Sequence, residues 1–199
     1  MSVPWRIVGP LAAVLVAAGV ALVVTHDDPA PVASTVTTTP PPVAVTSDAV
    51  RFPTLDDLAT ASDLIVRAHV TRTERGRPFG DPGSASAIES RLVTLAVDDV
   101  LRGPDPGSGL LVEEEGWTED GAPLIVDGAG PSATGDDAIW FLTRVEGPEG
   151  PAYITVSAAG RYLVDGDDLV GPSGDDPLAA EVARLTPAQL TARIAALSP

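Results

Sequence analysis

From Ile7 to Val24 the chain runs 18 residues without a charge, and this run separates the first six residues from everything that follows. A helix of that length measures about 27 Å at 1.5 Å per residue, just under the ~30 Å hydrocarbon thickness of a bilayer. Arg6 precedes the run, Asp27 and Asp28 follow it, and Trp5 stands where an interfacial aromatic is expected. The positive-inside rule therefore places the N-terminus in the cytoplasm and the residues after Thr25 outside. Residues 1–24 are expected to form a single-pass transmembrane anchor in the cell membrane, with Ile7 to Val24 as the membrane contact. The alternative is a cleaved secretory signal with a small-x-small site at Gly19-Val20-Ala21, which would release the rest as a secreted protein. Both readings export the remainder, and the absence of cysteine removes lipidation at a mature N-terminal Cys.

Residues 25–47 change character to Pro, Thr, Val, Ala and Ser, with the runs Thr37-Thr38-Thr39 and Pro40-Pro41-Pro42. Consecutive prolines favour an extended conformation of about 3.1 Å per residue, so this stretch is expected to be a disordered stalk reaching roughly 60 Å.

Residues 48–174 are expected to hold the folded β domain. Thr54-Leu55-Asp56-Asp57 has the form of an N-cap with an acid at N3, opening a short helix through Ala61. The period then shortens to two: Leu64, Val66, Ala68 and Val70 share one face, with Arg67, His69 and Thr71 on the other. A Gly/Pro/Ser-rich loop is expected over residues 75–86. A second alternating run places Val93, Leu95 and Val97 together, then breaks at Asp98-Asp99 as a bulge would break it. Shorter strands are expected at 110–113, 124–126, 138–143, 153–157, 161–164 and 169–170. The stretch from Ala138 to Leu142 is apolar at every position and so should be central and covered on both faces. Asp165-Gly166 fits a tight hairpin turn. In residues 175–199, Thr186-Pro187-Ala188-Gln189 makes a capping box with Pro at N1, followed by Leu190, Ile194 and Leu197 at helical spacing. Together these elements predict a mainly β fold, a small and mostly antiparallel OB-like barrel with a short N-terminal helix and a C-terminal amphipathic helix; a sandwich is the alternative.

The segments Ala61-Ser62-Asp63-Leu64-Ile65-Val66, Leu95-Ala96-Val97-Asp98-Asp99-Val100-Leu101-Arg102-Gly103, Gly135-Asp136-Asp137-Ala138-Ile139-Trp140-Phe141-Leu142 and Tyr162-Leu163-Val164-Asp165-Gly166 carry a resemblance. In this order they resemble small exported domains of high-GC Gram-positive bacteria, mostly uncharacterised, that are similar to the OB-like barrel of the TIMP/netrin group. The resemblance spans Thr54 to Val170 and implies a fold more than an activity. Metalloprotease inhibition of the TIMP kind is not implied, because it needs a disulfide-bonded N-terminal cysteine and this chain has none.

Twelve basic residues, all arginine, stand against 28 acids, for a formal net charge of −16. Without lysine there is no P-loop or Schiff-base chemistry, and without cysteine no thiol nucleophile or thiolate metal site. An acidic chain repels phosphate backbones, so nucleic acid is excluded as a partner. His69 lies on the polar face of its strand with no spacing that supports a Ser-His-Asp triad. The acidic turn from Asp165 to Asp168 departs from an EF-hand loop at its sixth position, where Val170 replaces Gly. Neither catalytic residue, metal ligand nor cofactor is assigned. Trp117, an indole inside the acidic stretch Glu113-Glu114-Glu115-Gly116-Trp117, is the candidate ligand-binding residue together with Glu113, Glu114 and Glu115. These readings predict a membrane-tethered extracytoplasmic binding or interaction domain, its partner a cell-envelope protein or glycan. The alternative is a small cell-envelope hydrolase using paired carboxylates.

Overall fold

The computed structural model describes residues 40–47, 50–84, 87–147 and 150–197. The expected anchor, residues 1–24, and the first part of the expected stalk lie outside the described residues. Among the described residues, no helix is long and apolar enough to cross a membrane.

The chain order is β1 (Val43–Val45), α1 (Leu55–Ala61), β2 (Leu64–Phe79), β3 (Ile88–Arg102), β4 (Gly109–Thr118), β5 (Leu124–Val126), β6 (Asp137–Gly147), β7 (Gly150–Thr155), β8 (Arg161–Asp165), β9 (Asp168–Val170), α2 (Pro177–Val182) and α3 (Pro187–Ala196). Hydrogen bonding runs β2–β3–β4–β7–β6 and returns from β6 to β2, closing a five-stranded barrel. Four of its seams are antiparallel. The fifth, β4 against β7, is parallel and rests on the single pair Val112↔Tyr153. The expected antiparallel barrel thus has one parallel seam, because β7 returns beside β6 and must meet β4 running the same way. β8 pairs with β6 at Ala138–Trp140 and carries β9 as a hairpin.

Alternation decides what lies inside. Leu64, Val66, Ala68, Val70, Val93, Leu95, Val112, Trp140 and Leu142 fill the barrel. The opposite face of the same strands, Ile65, Ile139 and Phe141, packs with Tyr162 under α1, α2 and α3 through Leu58, Leu178, Val182, Leu190 and Ile194. Strand β6 is therefore covered on both faces, and Ile139, Trp140, Phe141 and Leu142 are fully buried, as their unbroken apolar run predicts. The buried Trp140 Nε1 donates to the Ala68 carbonyl at 3.3 Å, which removes the cost of enclosing its N–H. The helix caps follow the sequence as well: Thr54 accepts from the Asp57 N–H at 3.2 Å, and the Thr186–Gln189 box closes in both directions.

The bulge expected at Asp98-Asp99 is present: Arg67 pairs with Asp99 and Ala68 with Val97, which leaves Asp98 as the extra residue. Two expectations are corrected. The loop placed at 75–86 is shorter, because β2 continues to Phe79 and β3 starts at Ile88. This outer ribbon is held by polar cross-strand pairs, among them Arg75 with Glu89, and so lacks the apolar alternation that marks a half-buried strand. The stalk also ends earlier than expected, since Val43–Val45 is a strand parallel to β5. Its docking is fixed by the Val43 N–H to Pro123 carbonyl bond at 2.9 Å and by Ser47, whose N–H reaches Asp127 Oδ1 at 3.0 Å. Asp127 has a positive φ of 48°, and Gly128 after it has φ 82°. A Cβ on Gly128 would stand 1.6 Å from the Ser173 carbonyl oxygen, so this turn closes only because residue 128 has no side chain.

Candidate functional site

The weak β4–β7 seam leaves a concavity beside β4. Past Val112, β4 continues to Thr118 paired with β3 on one side, and near its end Trp117 also bridges to Pro123. Beside it opens a cleft of about 590 Å³. Val145, Ile154, Val156, Leu124, Val126 and Phe79 supply its apolar surface, and Arg77, Arg161, Glu113, Glu114, Glu115 and Asp127 its charges. That volume lies within the ~300–1,000 Å³ usual for small-molecule sites.

Which way each β4 side chain faces is set by a bulge. Glu115 pairs with Ser90 and Trp117 with Glu89, so Gly116 is the extra residue. A Cβ there would come within 2.7 Å of the Glu89 carbonyl oxygen and 2.9 Å of the Arg91 nitrogen, so only glycine lets β4 lie this close to β3. Strict alternation would put Trp117 on the face of Glu113 and Glu115. The bulge moves it to the face of Glu114 instead, where it meets Arg91.

Glu114 is the centre of a satisfied ionic cluster. It accepts from Arg91 Nη1 at 3.0 Å, from the Ser132 N–H at 3.0 Å, from Ser132 Oγ at 2.8 Å and from Arg161 Nη1 at 3.5 Å. Arg161 also donates to Ser132 Oγ and to the Gly130 carbonyl, and its guanidinium lies 5.5 Å from the Trp140 ring centroid. Burial pulls the Arg161 guanidinium below its ordinary range, and the charges of Glu114 and Asp136 work against that shift. Glu113, on the other face, is buried and takes both arms of Arg77 at 3.0 and 3.1 Å. This fork geometry is the strong form of an arginine–carboxylate pair.

Of the four residues singled out from the sequence, Glu113, Glu114 and Glu115 line the cleft and Trp117 does not. Trp117 is half-buried, with the guanidinium groups of Arg75 and Arg91 at 4.8 Å and 4.3 Å from its ring centroid. Its ring is thus engaged within the protein. Arg77, Asp127, Ser132, Ser157 and Arg161 belong to the site and were not singled out; the one local signal among them was the Asp127-Gly128 turn. His69 sits on the barrel exterior with Nδ1 3.0 Å from Asp98 and both side chains about 45% exposed. Among the described residues, no three His, Asp or Glu side chains gather as a metal site. No protein-family model matches the chain, and no curated protein matches it either.

Proposed function

We propose that residues from Val43 onward form a small binding domain, carried outside the cytoplasm on the membrane segment from Ile7 to Val24, and that the cleft beside β4 holds a small cell-envelope ligand. The observation that carries this reading is the cleft itself: an apolar hollow of about 590 Å³ at the one barrel seam with a single pairing. The strand order supports the OB-like reading of the barrel, a fold whose loops and open face serve binding in many contexts. Export is supported by the uncharged run and its flanking charges. The carboxylates of the cleft that are buried or nearly so, Glu113 and Glu114, are each committed to arginines. That arrangement favours holding a ligand over acid–base work on one.

A neutral polarity-sensitive dye tests the cleft. It should bind the full chain with an emission rise that the Gly130→Trp variant abolishes. Gly130 lines the cleft, and a Cβ there meets no atom within 4 Å, so the added ring can occupy the cleft with the fold intact. An unchanged melting temperature with lost dye binding is the expected result. Equal dye binding by both proteins would rule the cleft out.

A further inference from the structure

The cleft is not electrically balanced, and the imbalance has a direction. Glu113 is neutralised by Arg77, and Glu114 by Arg91 and Arg161. Among the described residues, Glu115 has no ion-pair partner, and the Asp127 carboxylate accepts only from Ser47. Arg77 and Arg161 are already paired: Arg77 grips Glu113 through Nε and Nη2 and lies 4.4 Å from the Phe79 ring, and Arg161 is spread over Glu114, Ser132 and Gly130. Even when Arg91 behind the wall is counted, three cations face four carboxylates around this cleft, in a chain of net charge −16. An independent observation concerns Ser157, which also lines the cleft: its Oγ is buried and has no hydrogen-bond partner among the described residues. A buried hydroxyl without a partner is costly unless something that enters the site satisfies it.

We infer that the cleft selects a small amphipathic cation, an aliphatic body bearing a protonated amine. The body replaces water on Val145, Ile154 and Val156. The ammonium supplies the positive charge that Glu115 and Asp127 lack, and its N–H groups are donors of the kind the unpartnered Ser157 oxygen accepts. The inference rests on the cleft being the binding site proposed above, and it adds the charge of the ligand.

Octylammonium, octanol and octyl sulfate separate the two ideas, since they share an alkyl chain and differ in head-group charge. Each is titrated into the full chain below its micellar concentration and followed by displacement of the neutral dye. Octylammonium should bind about tenfold more tightly than octanol at low salt, the size expected for two surface carboxylates acting on one cation. Octyl sulfate should bind most weakly, and the spread should shrink as salt is added. The Glu115→Gln/Asp127→Asn double variant should keep octanol binding and lose the preference for the amine; asparagine tolerates the left-handed backbone at position 127. Octyl sulfate binding as well as octylammonium, or a preference that survives in the double variant, overturns the inference and leaves the cleft as a site. Failure of all three probes, octanol included, overturns the cleft and the inference together.

Discussion

Glu114 is where a single side chain holds most of the site in place. It separates Arg91 and Arg161, two guanidinium groups at 5% and 10% side-chain exposure that would otherwise face each other with little water to screen them. The worth of such a carboxylate is not the Coulomb attraction alone, because burying three charges carries a large desolvation cost. Its removal is nonetheless severe, since the buried cations and the Ser132 N–H then lose their acceptor. Glu114→Ala should destabilise the fold by about 3–5 kcal/mol, measured by chemical denaturation. A loss below about 1 kcal/mol would mean that the cluster relaxes into solvent. Trp117 belongs to the same chemistry, as its ring stabilises Arg75 and Arg91 by contacts worth about 0.5–2 kcal/mol each depending on desolvation.

At the level of elements, the register of β2 against β6 is anchored by Asp63, one residue before β2 begins. Its N–H donates to the Leu142 carbonyl at 2.8 Å, extending the ladder. Its Oδ2 accepts from the Arg144 N–H at 2.8 Å and from Thr143 Oγ1 at 2.7 Å. The Arg144 backbone bond, then the Thr143 hydroxyl, lower the Asp63 carboxyl below its ordinary 3.8. A carboxyl lowered in the folded state adds stability that is fully present above the unfolded value and is lost as pH falls through the folded one. Asp63→Asn should therefore cost up to about 1 kcal/mol near neutrality, a modest figure because the group is exposed. The difference between the two proteins should close once the pH falls below the lowered value of Asp63. A gap of constant size from pH 7 to pH 2 would show that the ionised carboxyl contributes nothing of its own.

For the whole molecule, the docking of Val43–Val45 onto β5 sets where the stalk can be cut. If the run from Ile7 to Val24 is an uncleaved anchor, the protein should fractionate with membranes at full mass. External protease should then release a domain beginning at or shortly before Val43, because residues paired in a strand resist cleavage. A soluble extracellular product beginning near Leu22 would mean that the segment is a cleaved signal. The elements themselves were legible in the chain: period-two alternation at Leu64–Val70, the capping residues Thr54 and Thr186, the apolar run through Trp140 and the Asp98 bulge all act between near neighbours, and near neighbours are what a sequence displays. The outer ends of β2 and β3 were not legible, since polar cross-strand pairs leave no periodic mark. Only the tertiary structure decided the site. The cleft exists because β4 and β7 share one pairing. Its ionic cluster joins Glu114 to Ser132 and Arg161 across 18 and 47 residues of chain. One glycine bulge moved Trp117 from the face of Glu113 and Glu115 to that of Glu114 and Arg91. Partners that distant are chosen by how strands close into a barrel, and no local pattern of residues encodes that closure.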